Sequence, residues 1–166
     1  MASGKTTLGK LLAKRLGLTF VDTDHTIEER SGVSVRIIFD VEGEAAFRDR
    51  ECAVLNNLSA QAGLVVATGG GCVLRPENRA ILNQSGLVVF LDPDLETQLK
   101  RTEGDRKRPL LQNVDRHSFL KQMKQERDPL YREVAKVVLA VDNRPGKKML
   151  EVLLRTLLEQ QWVSEE

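Results

Sequence analysis

The sequence predicts an α/β fold in which a parallel sheet carries helices on both faces. Three observations predict it. Short apolar runs alternate with longer stretches whose leucines recur at helical spacing, the pattern of strands joined by helical crossovers. The runs end at polar or glycine-rich residues, Asp22-Thr23-Asp24 after the first and Thr68-Gly69-Gly70-Gly71 after the second, where open α/β sheets hold their ligands. At 166 residues and 41% hydrophobic, the chain suits a single domain spanning 1–166 with one core.

Leu8, Leu11, Leu12 and Leu16 predict a first helix over about 5–16, with Gly17 as its left-handed stop. Its opening run, Gly4-Lys5-Thr6-Thr7, matches the back half of a phosphate-binding loop. There the backbone N–H groups surround a phosphate, the lysine reaches its outer oxygens and the threonine hydroxyl ligates Mg²⁺. The full pattern needs another glycine five residues before Gly4, and an apolar strand ahead of it; both positions precede Met1. The expectation is a truncated chain that lacks the first strand of its sheet.

Leu18-Thr19-Phe20-Val21 predicts a short strand, followed by a helical stretch around Ile27 that ends near Gly32. Val35 to Phe39 comes next, then a long helix through Ala45, Val54, Leu55 and Leu58. Further strands are predicted at Leu64-Val65-Val66-Ala67, at Leu87-Val88-Val89-Phe90-Leu91 with Pro93 as the stop, and over 137–141. Leu95 and Leu99 mark one helix, and another runs to about Arg127 before a turn through Tyr131. Met149, Val152, Leu153 and Leu157 stripe the closing helix.

With 25 basic and 24 acidic residues, the chain has no global field to attract nucleic acid. No apolar run reaches the roughly 20 residues of a membrane span, and no leader opens the chain, so a cytoplasmic protein is expected. Cys52 and Cys72 lack metal-ligand spacing and are expected to be reduced structural thiols.

Asp22 and Asp24 lie two apart, so in extended chain one can hold a metal's water shell while the other takes a hydroxyl proton; the same triplet is also a good helix cap. Arg48 and Arg50 share a helix but point in different directions, so at most one can grip a carboxylate in a given pocket; surface ion pairing is the alternative. Three successive glycines at 69–71 suggest close approach to a ligand more than a tight turn. Arg106, Lys107 and Arg108, before Pro109-Leu110-Leu111, read either as a lid over a transferring phosphate or as a solvated charge run. Arg127 is a second candidate for anion recognition.

Taken in order, Gly4-Lys5-Thr6-Thr7, Asp22-Thr23-Asp24, Phe47-Arg48-Asp49-Arg50-Glu51, Thr68-Gly69-Gly70-Gly71, Arg108-Pro109-Leu110-Leu111 and Glu126-Arg127-Asp128-Pro129-Leu130-Tyr131 closely resemble shikimate kinase. The resemblance implies a three-layer P-loop kinase fold whose central strand is the one lacking here, a lid at about 103–116 and a substrate-binding helical region at about 24–60. It implies ATP-dependent phosphorylation of the 3-hydroxyl of shikimate on the route to aromatic amino acids. Catalysis is then expected from Lys5, Asp24 and Arg108. Shikimate contacts fall on Asp24, Arg48, Gly69, Gly70, Gly71 and Arg127. ATP contacts fall on Gly4, Lys5, Thr6, Thr7, Arg108 and Arg144, with Mg²⁺ at Thr6 and, through water, at Asp22. The family also suggests a monomer acting on small molecules. Two alternatives compete: another small-molecule P-loop kinase such as a gluconate kinase, and a nucleotide-binding variant impaired by its shortened loop.

Overall fold

Helix α1 (Lys5–Leu16) runs as the leucine spacing requires, between two left-handed glycines, Gly4 and Gly17. The computed structural model describes residues 2–103 and 115–163. Within them the order is α1, β1 (Thr19–Asp22), α2 (Thr23–Ser31), α3 (Val35–Ser59), β2 (Leu64–Ala67), a 3₁₀ turn (Cys72–Leu74), α4 (Pro76–Gln84), β3 (Val89–Pro93), α5 (Leu95–Thr102), α6 (Arg116–Val134), β4 (Val137–Val141) and α7 (Gly146–Glu159). Most of the expected lid lies outside the described residues. No helix among them is long and apolar enough to cross a membrane.

The strands form two parallel pairs. β1 pairs with β2, Phe20 opposite Val65, and β3 pairs with β4, Leu91 opposite Leu139. Between the pairs lies a trough of about 430 Å³, lined by Leu64 and Val66 of β2, Val89 and Leu91 of β3, Leu55 of α3 and Val134 of α6. Helix α1 spans both pairs: Leu8 joins a core cluster with Val137, Val141, Met149 and Leu153, while Gly9 lies against the ring of Phe20. A second cluster holds Ile27, Ile38, Phe47, Val54 and Leu58, and packs α2 and α3 on the β1–β2 side. Burial of these side chains supplies most of the drive to fold.

Two expectations need correction, and one element was not foreseen. Helix α6 does not stop at Arg127 but continues through Pro129 and Tyr131 to Val134. The proline deprives the Gln125 carbonyl of its usual donor, but Leu120, Met123 and Val134 are buried along the helix and hold it in one piece. β3 begins two residues later than its apolar run and includes Pro93, because its register is set by β4. Residues 76–84 form a helix, started by Pro76 in the first turn, where a missing N–H costs nothing.

Candidate active site

The end expected to hold phosphate is built on the start of α1. Gly4 adopts φ 86° and ψ 20°, which favours glycine, and no side chain caps the helix. The N–H groups of Lys5, Thr6 and Thr7 therefore lack intrahelical acceptors at a positive helix terminus. These residues line a cavity of about 440 Å³ together with Arg101 and Arg144. Arg101 donates to the Ala2 carbonyl at 3.1 Å and to the Asp142 carbonyl at 2.6 Å, so it ties α5 to both rims of the cavity. Arg144 is held by the Asp142 carboxylate at 2.7 Å.

Asp22 links this end to the next. One of its oxygens accepts from the Asp24 N–H at 3.1 Å and caps α2; the other accepts from the Thr6 hydroxyl at 3.1 Å. A hydroxyl beside a carboxylate is a hard-oxygen donor set. No cluster of three or more His, Cys, Asp or Glu side chains suited to a metal occurs among the described residues. A divalent ion at Thr6 and Asp22 would take its other ligands from water and phosphate, the usual habit of Mg²⁺, so the residues fit.

At the second end, the glycine loop after β2 is surrounded on three sides. The buried Thr23 hydroxyl accepts from the Gly69 N–H at 3.0 Å. A Cβ on Gly69 would lie 2.6 Å from Glu51 Oε1 and 2.9 Å from Asp24 Oδ1, and one on Gly71 would lie 2.6 Å from Arg48 Cζ. None of the three glycines has a positive φ, so at Gly69 and Gly71 space rather than backbone conformation demands glycine. The Gly70 carbonyl accepts a short hydrogen bond from the Tyr131 hydroxyl.

Arg48 binds Glu51 at 2.7 Å and Glu44 at 3.0 Å, whereas Arg50 turns away to Glu42 at 2.9 Å. Burial opposes the charge on Arg48, but the two glutamates outweigh it and raise its pKa. Burial raises the pKa of Glu51, partly offset by Arg48. Burial, then the neighbouring Asp22, raises that of Asp24, with the charge of Lys5 pulling the other way. Asp24 Oδ1 and Glu51 Oε1 are buried without a hydrogen-bond partner among the described residues. Two such acceptors beside one glycine suit a ligand with hydroxyl donors.

A family model described as shikimate kinase matches residues 1–158. The chain belongs to the shikimate kinase family. It is 50% identical over 157 residues to a shikimate kinase of Pseudomonas paraeruginosa, covering 95% of this chain and 91% of that one. It is 45% identical over 159 residues to one from Vibrio cholerae, covering 96% and 91%. A solved shikimate kinase from Acinetobacter baumannii in complex with shikimate superposes with a TM-score of 0.92 at 42% identity, covering 97% of this chain and 90% of that one. The protein is therefore a kinase with the α/β fold of the shikimate kinases.

The expected residues fall into two groups. Gly4, Lys5, Thr6, Thr7 and Arg144 share the phosphate-end cavity; Asp24, Arg48 and Gly69 to Gly71 gather at the loop. Arg127 stands one helical turn before Tyr131 on α6. Arg108 lies outside the described residues. Thr23, Glu51, Arg101 and Tyr131 were not foreseen. Glu51 carries a legible signal, a carboxylate three residues after Arg48 on one helix face, but nothing in the sequence shows it to be buried.

Proposed function

We propose that the protein transfers the γ-phosphoryl group of ATP to the 3-hydroxyl of shikimate, using Mg²⁺. Phosphorylation of shikimate follows from the family; the roles of individual residues are our reading. One observation carries it. Lys5 lines both the phosphate-end cavity and the trough that Gly69 and Gly70 border, and its charge reaches Asp24, so the two ends meet at one ammonium.

In this reading the α1 N–H groups and Lys5 hold the phosphates, and Arg101 and Arg144 flank the rest of the nucleotide. Bound at Thr6 and Asp22, Mg²⁺ would neutralise phosphate charge. Arg48, fixed by Glu51, and Arg127 grip the carboxylate of shikimate with their planar forks. Asp24 accepts from the attacking hydroxyl and orients or deprotonates it, a role its raised pKa suits. Little covalent chemistry is left for the protein: alignment and charge stabilisation do most of the work. Arg108, by the resemblance, would add its charge to the transferring phosphoryl group. A monomer in the cytoplasm belongs to the same proposal and rests on the resemblance alone.

The test is a coupled assay of ADP release with shikimate or gluconate as acceptor, on the unsubstituted protein and on Arg48→Ala. Turnover should require shikimate, and Arg48→Ala should raise the KM for shikimate at least tenfold, because a charge-assisted pair is worth about 1.5–3 kcal/mol. Equal turnover on gluconate, or an unchanged KM, would overturn the reading.

A further inference from the structure

Tyr131 is a residue that none of the proposed contacts uses, yet it touches three elements of the site. Its hydroxyl donates to the Gly70 carbonyl, across 61 positions of sequence. Its ring stacks on Phe90 of β3, with centroids 4.8 Å apart and planes 28° from parallel. Its position in α6 is one turn after Arg127, on the same helix face. The phenol is pushed up in pKa by burial, against an opposing charge and a hydrogen bond from Arg127. It therefore stays protonated, and remains a donor to Gly70, throughout the neutral range.

These contacts tie the loop to α6. The charge of Arg127, one turn away on the helix, acts on the phenol, and the phenol O–H donates to Gly70. The peptide between Gly70 and Gly71 is planar and trans, so fixing the Gly70 carbonyl also fixes the Gly71 N–H, which points the opposite way. Gly71 is the residue that lies against Arg48. Phe90 holds the ring, and with it the hydroxyl, at one distance from the loop.

We infer that Tyr131 is a positioning residue for the carboxylate end of the substrate site: its hydroxyl locks the glycine loop to α6, so that Arg127 and Arg48 are held at a fixed separation before substrate arrives. The inference rests on the shikimate reading above. The lock itself is a property of the unliganded protein and can be measured without substrate.

Tyr131→Phe keeps the ring and its stacking and removes only the hydroxyl. In the unliganded protein, hydrogen exchange at Gly70 and Gly71 should speed up, with β3 and β4 unchanged. In the assay, the KM for shikimate should rise about five- to tenfold, the effect of one hydrogen bond to a preorganised site. The KM for ATP and kcat should stay within about twofold, because α1 and its cavity are untouched. In an Arg127→Ala background the same substitution should raise the KM no further, because the separation it fixes, between Arg127 and Arg48, no longer exists. Unchanged exchange at the loop would overturn the inference, as would equal changes in both KM values or a full additional rise without Arg127. An unsubstituted protein that ignores shikimate would instead overturn the functional reading and leave the exchange result standing.

Discussion

Asp24 is where stability and chemistry conflict. Its carboxylate is half-buried, one oxygen has no hydrogen-bond partner among the described residues, and burial raises its pKa in the folded chain. A carboxyl group whose folded pKa lies above its unfolded one stabilises the fold fully below the unfolded pKa, and that contribution is lost as pH rises through the folded pKa. At neutral pH the ionised group is thus a net cost. Asp24→Asn should raise the melting temperature by a few degrees near neutral pH, and the gain should shrink towards zero below about pH 4, where both side chains are neutral. Turnover should fall by at least about a hundredfold, the usual contribution of a positioned acid or base. Thermal melts across pH, run beside the assay, check both halves; a lower melting temperature at neutral pH would show that the charge is stabilised by something else. The carboxylate pair and the glycines were legible as residue types, because both follow the predicted strand ends where open α/β sheets hold ligands. The burial that makes Asp24 costly was not legible, because it comes from Glu51 and Gly69, which reach it from other elements.

At the scale of elements, α3 is the informative case. It runs over 25 residues as two helical segments joined at Gly43, which has φ 84° and ψ 172°, a conformation nearly closed to other residues. A Cβ there would touch nothing within 4 Å, so its cost is backbone strain alone. The bend aims the second segment, with Arg48 and Glu51, at the glycine loop. Gly43→Ala should destabilise the protein by about 1–3 kcal/mol in urea unfolding and raise the KM for shikimate more than that for ATP. A variant as stable as the parent would mean that α3 straightens without loss and that the bend does not aim Arg48. Helices α1, α2 and α7 were legible because their signals are local: leucine spacing and a glycine stop for α1, the Gly32 stop for α2 and the apolar stripe of α7. The end of α6 was not, since a proline argues for a stop and only the packing of Val134 and the stacking of Tyr131 on Phe90 override it. Helix α4 was not foreseen, although Pro76 stands at the helix position proline favours.

For the whole molecule, the sequence pattern specifies four parallel strands but not which of them pair, because partner choice depends on which edges meet in space. Helix α1 joins the halves, and it also carries the N–H groups proposed to bind phosphate. Leu8 is only 6% exposed and packs among side chains of β4 and α7; the next residue, Gly9, is a glycine because Phe20 of β1 leaves no room for a Cβ, which would sit 2.6 Å from the ring. One turn of helix is thus wedged between both ladders. Leu8→Ala should cost about 2–5 kcal/mol, the range for truncating a buried leucine. If α1 couples the halves, hydrogen exchange should speed up in β1 and β2 as well as in β3 and β4, although Leu8 packs only into the second pair. ATP with Mg²⁺ should restore part of the loss in both ladders, because a ligand held at the α1 N-terminus stabilises the state in which α1 is docked. Faster exchange confined to β3 and β4 would mean that the pairs open independently, and that α1 transmits nothing between the phosphate end and the glycine loop.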